Sequence, residues 1–334
     1  MTITVALAGD TMLGRGVADE IAASGPHGLF SGGVREVFAE ADLAVLNLEC
    51  CVSGRGRRWD APGKPFHFRA PPAAVEALAD LGVGCVTLAN NHALDFGRDA
   101  LADTLALLGR AGIRTVGAGA DLERAREPVV LDAGGVRVAV VGVTDHPSDF
   151  AAGAGRPGVA LADLERGVPE FLLDEVRRLR DEHDAVLVLP HWGPNMTSEP
   201  LPYVRRAARA LVDAGATLVA GSSAHVFHGI AWPVIFDMGD FIDDYAVDAG
   251  LRNDLGLVFL VRLEAAGPSR IEAVPLRLDF CRTRLAEGAD RAWIADRFTR
   301  ACAGFGTPVT VRDGRLVVDA PPRGHSGVVI AGWS

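Results

Sequence analysis

The sequence predicts an α/β protein built on mainly parallel sheets with helices packed against them. Apolar runs typical of buried strands alternate with segments of helical apolar spacing from the first residues onward. Five of these runs end directly in polar residues, at the edge where a parallel sheet places ligands and chemistry. The alternation continues without a linker or internal repeat, so we expect one elaborated domain spanning residues 1–334.

The first half of the chain supplies strands and helices in turn. In order, we expect a strand at 3–8, helices at 17–23 and 34–41, a strand at 43–46, a helix at 71–80, a strand at 83–88 and a helix at 97–111. Pro72 suits the first turn of the helix at 71–80, and Gly82 ends that helix. Leu101, Leu105 and Leu108 share one face of the helix at 97–111, which predicts that this face is buried.

The second half continues this pattern and then changes it. A hairpin at 129–131 and 136–141 is followed by helices at 170–182 and 203–214, which precede strands at 185–189 and 216–220. From residue 234 the pattern favours antiparallel strands, at 234–236, 257–263 and 271–276, then a helix at 290–302 and a strand pair around 309–318. Two parallel-rich sheets packed together and flanked by helices fit this order.

The polar residues at the five strand ends are the main functional signal. They are Asp10, Glu49, Asn91 with His92, His191 and His225. Carboxylate, amide and imidazole make a mixed oxygen and nitrogen ligand set, which suits a divalent ion such as Mn, Zn, Fe or Co. Taken singly, Asp10 could cap a helix, Asn91 could form a turn and His191 could pack against Trp192. Their shared position nevertheless indicates a metal site.

An acidic segment at residues 237–245 contains four aspartates, and Asp254 follows it. Such a cluster could ligate a hard cation. Because Arg252 and the backbone of a tight loop could balance the same charge, we expect a structural role instead.

The overall charge excludes one class of partner. With 33 Lys and Arg against 43 Asp and Glu, the net charge of −10 argues against a nucleic-acid surface. A basic, Gly-rich loop at 53–64 carries Arg55, Arg57 and Arg58; it could hold an anionic group near the site or be a solvated loop.

Other sequence features point to the cellular compartment. No apolar run approaches 18 residues, so we expect no membrane span. The N-terminus has no signal-peptide pattern, and five cysteines without ligand spacing are most simply reduced thiols. We therefore expect a cytoplasmic protein; the oligomeric state stays open.

Five motifs together resemble a known family. They are Gly9-Asp10-Thr11-Met12-Leu13-Gly14-Arg15, Asn47-Leu48-Glu49, Ala89-Asn90-Asn91-His92-Ala93-Leu94-Asp95-Phe96-Gly97, His191-Trp192-Gly193 and Gly221-Ser222-Ser223-Ala224-His225-Val226. In this order they resemble the CapA family of poly-γ-glutamate capsule synthesis proteins, similar in fold to the calcineurin-like metallophosphoesterases. The resemblance covers residues 3 to about 260 and implies a four-layer α/β/β/α sandwich, which residues 261–334 would complete.

The resemblance also implies a role for each strand-end residue. Asp10 would be a terminal ligand, Glu49 would bridge two ions, Asn91 and His191 would hold the second ion, and His225 would reach the first. His92 would be an acid/base residue oriented by Asp10 or Asp95. Met12 and Ser223 stand where phosphoesterases have histidines, so each ion would lose one strong ligand, and binding should be weak or limited to one ion.

The leading functional hypothesis is a metal-dependent hydrolase of an anionic phosphoester or amide, including a γ-glutamyl linkage in a small molecule, a peptide or polyglutamate. Candidate substrate-binding residues are Arg15, Arg55, Arg57, Arg58, Trp192 and Ser223. The first alternative is a metal-dependent epimerase of a peptide α-carbon, with His92 as one base and His225 or His228 as the other. The second is a non-catalytic accessory subunit that binds an anionic polymer.

Overall fold

Two β-sheets lie face to face in the computed structural model, which describes residues 1–264 and 267–322. The strands are β1 Thr2–Thr11, β2 Leu43–Leu48, β3 Cys51–Val52, β4 Arg69–Ala70, β5 Cys85–Thr87, β6 Arg114–Val116, β7 Ala118–Gly119, β8 Val129–Ala133, β9 Val136–Thr144, β10 Gly158–Val159, β11 Ala185–His191, β12 Leu218–Ala220, β13 Ile230–Ala231, β14 Val234–Ile235, β15 Asp240–Ile242, β16 Leu255–Glu264, β17 Gly267–Leu278, β18 Thr283–Leu285, β19 Thr310–Arg312 and β20 Arg315–Asp319. The helices are α1 Arg15–Ser24, α2 Gly32–Ala39, α3 Ala74–Asp80, α4 Gly97–Arg110, α5 Leu122–Arg126, α6 Glu170–Glu182, α7 Pro202–Asp213 and α8 Gly288–Ala303.

The first sheet joins a parallel half to an antiparallel half. Its strand order is β19-β20-β17-β16-β1-β2-β5-β6, with β15 beside the end of β1. Strands β1, β2, β5 and β6 are parallel, whereas β16, β17, β20 and β19 pair antiparallel. The predicted change to antiparallel strands in the last third of the chain is therefore confirmed for this sheet.

The second sheet has the strand order β13-β14-β12-β11-β9-β8. Strands β9, β11, β12 and β14 are parallel, and the predicted hairpin of β8 and β9 forms one edge. One expectation was wrong: the strand predicted at 234–236 is not purely antiparallel. It pairs parallel with β12 and antiparallel only with β13, because β13 and β14 form a hairpin at the edge of the sheet.

Alternating side chains build the layers. In β1, Ala6 and Ala8 face the helices of the first sheet, while Val5 and Leu7 face the second sheet. In β11, Leu187 faces the middle layer, and its neighbours Val186 and Val188 face α6 and α7. The four-layer α/β/β/α sandwich is confirmed.

Most predicted helices begin and end within two residues of their expected bounds. The helix expected from residue 71 begins at Ala74, because residues 71–73 form a turn before it. The five cysteines are buried free thiols. Within residues 1–264 and 267–322, no helix is both long and apolar enough to span a bilayer. The expected domain 1–334 includes residues 265–266 and 323–334, which lie outside the described residues.

Candidate metal centre

Four buried side chains converge at the carboxyl ends of the parallel strands. Asp10, Glu49, His225 and Asp240 each offer one ligand atom, and these atoms lie within 4.8 Å of one another. The Nδ1–H of His225 donates to Asp240 Oδ1 at 2.9 Å, and Nδ1 lies 3.3 Å from Asp10 Oδ2 and 3.9 Å from Glu49 Oε2. Three carboxylates and one imidazole nitrogen thus form one compact group.

Strand register places the carboxylates. Asp10 ends the regular part of β1, and the parallel pairing of β1 with β15 sets Asp240 directly beside it. Gly9 permits this approach: a Cβ there would lie 1.9 Å from the carbonyl oxygen of Gly239. Glu49 follows β2, the next strand of the sheet.

His225 comes from the other sheet, in the loop after β12. Its φ of 60° lies in the left-handed region, which a non-glycine residue adopts at a cost. The strained backbone places the imidazole next to three carboxylates, and strain of this kind is typical of functional sites.

The carboxylate oxygens of this group are incompletely satisfied. Within the described part of the chain, Asp10 Oδ2, both Glu49 oxygens and Asp240 Oδ2 are buried without a hydrogen-bond partner. Buried polar atoms are normally paired, and buried charges are paired or bind metals. The donor set and the orphaned oxygens therefore fit a divalent cation.

The charges of the group shift one another's pKa. Burial and the charge of Asp10 raise the pKa of Glu49 well above its usual value. Burial alone would lower the pKa of His225, but the charges of Asp240 and Glu49 raise it well above the usual value. Burial likewise opposes ionisation of Asp10, yet the imidazole of His225, 3.3 Å from Oδ2, holds the pKa of Asp10 below its usual value. The protein part of the group is thus short of positive charge.

Two asparagines hold Asp10 from behind. Asn47 Nδ2 donates to Asp10 Oδ1 at 2.7 Å, and Asn90 Nδ2 donates to Asn47 Oδ1 at 2.9 Å. Asn90 also accepts from the backbone N–H of His92 at 3.0 Å. This series of hydrogen bonds links the carboxylate of Asp10 to the loop that carries His92.

His92 lies beside the group without joining it. Its Nδ1–H donates to Asp95 Oδ2 at 2.6 Å, so Nε2 points towards Glu49 Oε1, 4.0 Å away. Of the two expected orienting carboxylates, Asp95 makes the contact. Burial, opposed by Asp95, lowers the pKa of His92 to about 4, and Phe68 stacks on the ring at 4.0 Å. At neutral pH the imidazole is neutral, with Nε2 as acceptor.

Asp95 is itself fixed by the loop after β3. The backbone N–H of Phe68 donates to Asp95 Oδ2 at 2.6 Å, and Lys64 Nζ lies 2.8 Å from Asp95 Oδ1. Lys64 also donates to the carbonyl oxygen of Asn91 at 2.7 Å. The basic loop expected to hold a substrate anion thus has one side chain that orients the His92–Asp95 pair.

The other side of the centre is electrically neutral. His191 Nε2 lies 3.1 Å from Asn91 Oδ1 and 4.0 Å from Glu49 Oε1, and Ser222 Oγ donates to His191 Nδ1 at 3.0 Å. Burial lowers the pKa of His191 to about 3. Asn91 and His191 are brought together as expected, with Glu49 as the nearest carboxylate.

The sequence reasoning missed His146 at this side. Its ring lies 5.5 Å from that of His191, and Asp145 binds its Nδ1. Asp145 also accepts from Tyr203 and from the backbone N–H of Gly193. The signal was present, because His146 follows strand β9 as the predicted site residues follow theirs.

The chain matches the family described as bacterial capsule synthesis protein PGA_cap over residues 4–245. It belongs to this family. A probable polyglutamine synthesis accessory protein of Mycobacterium tuberculosis is 31% identical over 96% of both chains. The PGA biosynthesis protein CapA of Bacillus subtilis is 28% identical over 82% of this chain and 71% of its own length. Among solved structures, the NAD nucleotidase of Haemophilus influenzae matches with a TM-score of 0.46 and 12% identity, over 89% of this chain and 55% of that one.

In this PGA_cap protein, the two residues that we expected to replace ligand histidines, Met12 and Ser223, lie outside the four-residue group. Met12 is buried, and its sulfur accepts from the backbone N–H of Gly14 at 3.1 Å. Ser223 Oγ donates to the carbonyl oxygen of Gly193 at 2.9 Å. Asp240, for which we expected a structural role, supplies a carboxylate to the group instead.

The candidate substrate-binding residues of the PGA_cap protein have diverse surroundings. Arg15 pairs with Asp244 at 3.0 Å, and its side chain is 36% exposed. Arg55 makes a bidentate pair with Asp103 on α4, at 2.7 and 2.8 Å. The charge of Arg55 is therefore already balanced by Asp103 at the protein surface. Arg57 and Arg58 are exposed on the same loop.

Trp192 and His228 are buried in a neighbouring part of the core. Trp192 is 2% exposed and donates from Nε1 to the carbonyl oxygen of Phe236. His228 Nε2 lies 2.8 Å from the carbonyl oxygen of Thr197, in a small cavity that Trp192 also lines. These contacts place both side chains at a small cavity that Asp237 also lines, outside the four-residue group.

Proposed function

We propose that this PGA_cap protein is a divalent-metal-dependent hydrolase acting on an anionic phosphoester or amide, γ-glutamyl linkages included. One observation carries the proposal. A buried group of three carboxylates and one imidazole, with four orphaned oxygens, lies beside a neutral histidine whose free nitrogen faces it.

The ion would lie at the four-residue group. Asp10, Glu49 and Asp240 would hold Mn, Zn, Fe or Co through carboxylate oxygens, and His225 through a ring nitrogen that has lost its proton. Asn91 and His191 could hold a second ion more weakly, with Glu49 between the two. When bound, the ion supplies Lewis-acid chemistry and lowers the pKa of a water molecule that it binds.

His92 would move the proton. Because Nδ1–H is committed to Asp95, Nε2 takes the proton of the attacking water and later returns it to the leaving group. Lys64 and Phe68 hold Asp95 so that the imidazole keeps this tautomer. The stacked ring of Phe68 restricts the orientation of His92.

The substrate class follows from two arguments. Relatives named for PGA biosynthesis and for polyglutamine synthesis favour a polymer of glutamyl or glutaminyl residues, or a fragment of one. Arg57 and Arg58 are exposed on the basic loop whose Lys64 contacts Asp95, the partner of His92, although the whole chain carries a net charge of −10. A local cation surface on an acidic protein favours an anion that binds at this loop.

Epimerisation of a peptide α-carbon is the second candidate, favoured by the unequal halves of the centre. The one four-residue group found among residues 1–264 and 267–322 suits one Lewis-acid ion better than the symmetric clamp of a two-metal hydrolase. His92 would again be one base. Uptake of solvent deuterium at an α-carbon without bond cleavage would support this candidate.

The test is turnover by the purified protein loaded with Mn, Zn or Co. We expect metal-dependent cleavage of phosphodiesters or γ-glutamyl peptides, abolished by a chelator and restored by added ion. Absence of cleavage in both substrate classes would overturn the hydrolase. A His92→Ala protein that retains its biological activity would indicate a non-catalytic accessory subunit.

A further inference from the structure

One hydroxyl at the centre has no partner. Tyr245 Oη is buried, and among the described residues it makes no hydrogen bond. Its ring meets that of His225 edge-on, with the centroids 5.2 Å apart. A buried donor is rarely left unpaired, so this hydroxyl needs a partner that the protein does not supply.

The position of Tyr245 is fixed on several sides. Its backbone N–H donates to Asp243 Oδ1 at 2.8 Å, and its ring lies 5.7 Å from that of Phe68. The guanidinium of Arg15 covers the ring at 5.8 Å, while Asp244 holds Arg15. The ring thus lies between His225, a candidate ligand, and Phe68, which stacks on the proposed acid/base His92.

The hydroxyl stays protonated in this environment. A tyrosine hydroxyl has an ordinary pKa of about 10 and therefore carries its proton at neutral pH. A neutral hydroxyl can donate or accept a hydrogen bond, and next to carboxylates, which are acceptors, it acts as a donor. It therefore differs from Arg15, whose charge Asp244 already balances.

We propose that Tyr245 Oη donates a hydrogen bond to an anionic oxygen of the substrate held at the metal centre. The acceptor would be a phosphoryl oxygen, a carboxylate oxygen or the oxyanion that develops during attack on an amide. The proton remains on Tyr245, and no covalent bond forms or breaks there. A rigidly held donor of this kind stabilises developing negative charge without reorganising. The inference rests on the proposed function of the centre.

Tyr245→Phe tests the role in turnover, because it removes the hydroxyl and keeps the ring that packs against His225. We expect kcat to fall about 10²-fold, as when one oxyanion donor is removed, with zinc affinity unchanged. Tyr203→Phe is the matched control: it removes the hydroxyl that Asp145 accepts, and we expect a much smaller change. Unchanged kcat in Tyr245→Phe would reduce Tyr245 to packing and overturn the inference.

A second measurement does not need turnover. The chain has two tyrosines, so the protein labelled with 3-fluorotyrosine should give two ¹⁹F resonances, which Tyr203→Phe assigns. With zinc bound, we expect added inorganic phosphate to shift the Tyr245 resonance and leave that of Tyr203 in place.

Any result other than a phosphate-induced shift of the Tyr245 resonance overturns the inference. Phosphate that does not bind the zinc-loaded protein, or that binds by calorimetry without moving the Tyr245 signal, removes the proposed acceptor. A shift caused by zinc alone and unchanged by phosphate would make Tyr245 a partner of the ion instead. If the shift occurs but no substrate is ever turned over, the hydrolase fails while the hydrogen bond stands.

Discussion

The two sides of the metal centre differ in charge although they share Glu49. On one side, Asp10, Glu49 and Asp240 meet His225, and four carboxylate oxygens lack partners. On the other, His191 is hydrogen-bonded to an amide and to a hydroxyl, and its nearest carboxylate oxygen is 4.0 Å away. The carboxylate oxygens of the acidic side lack a cation to balance their charge, whereas the polar atoms of His191 on the neutral side are already hydrogen-bonded.

The two sides should therefore differ in their affinity for an ion, although both have ligand atoms at similar spacing. Both sides have ligand-type atoms close together, but three carboxylates oppose one another's ionisation until a cation joins them. We therefore expect the first ion to bind at the acidic side. The following predictions test this division.

The largest effect is expected from Asp240→Asn. Changing a partner of a ligand typically costs about 10–100-fold in metal affinity, so losing a ligand should cost at least about 100-fold and abolish turnover. The ion-free variant should remain folded, since the change removes one of three neighbouring buried charges. Calorimetry with zinc, beside thermal melting, measures both.

The matched variant on the neutral side is His191→Gln. It should lower the affinity for the first ion by less than about tenfold, which is below the cost of losing a partner of a ligand. Equal losses in Asp240→Asn and His191→Gln would remove the distinction between the two sides.

The next effect concerns His92, which contacts neither side as a ligand. His92→Ala should lower turnover by about 10²–10⁴-fold with ion content unchanged, because a positioned acid or base contributes that much. The control His27→Ala removes an imidazole whose side chain is 65% exposed and should leave both quantities unchanged. Loss of ion from His92→Ala would instead make His92 a ligand.

The contribution of the buried carboxyl groups to stability and the contribution of ion binding should change with pH in opposite directions. The pKa of Asp237 is raised to about 8 and that of Asp243 to about 6, chiefly by burial, so the folded state holds protons that the unfolded state has lost. Since the folded state then binds more protons, these groups reduce stability as pH rises from about 4 towards 8. Ion binding needs deprotonated ligands and strengthens over the same range.

We therefore expect the rise in Tm caused by zinc to be larger at about pH 7.5 than at about pH 5.5. Comparing zinc-loaded and ion-free protein at the same pH separates the effect of zinc on Tm from the effect that titration of the buried histidines has on stability. Burial lowers the pKa of His191 to about 3, which alone makes stability increase with pH up to about 6.5. A zinc-induced rise that shrinks with pH would contradict the assignment of carboxylate ligands.

The smallest effect is expected from adding a ligand to the neutral side. Ser223→His places an imidazole beside the loop after His191 and should tighten a second ion by about tenfold, since imidazole binds zinc better than a hydroxyl does. The φ of Ser223 is 122°, so some stability should be lost. Ser223→Ala is the control. A zinc titration in which both variants bind one ion would show that the new side chain does not reach Asn91 and His191.

Much of the fold followed from local patterns. The helix at Glu170–Glu182 was predicted to the residue, because one apolar face and Pro169 at its start define it without reference to the rest of the chain. The strand at 234–236 was harder, since a short apolar run does not reveal the direction of its partner. Its mixed pairing depends on β12 and β13 together.

The sequence by itself determined which strand ends carry polar chemistry, because apolar runs and the residues after them are local features. Asp10, Glu49 and His225 were identified in this way, and the structure brings them into one group. Asp240 was visible only as one of several aspartates in an acidic segment. The parallel register of β15 with β1 sets it beside Asp10, and no local pattern encodes that pairing.

The tertiary structure alone also decided the partners of His92 and Tyr245. Asp95 orients His92 only because Lys64 and Phe68 fold back over it from a distant loop. Tyr245 reaches the centre because the segment after β15 passes His225 and Phe68. Such contacts join residues far apart in the chain, and their free energy arises from burial and charge in three dimensions, which sequence spacing does not contain.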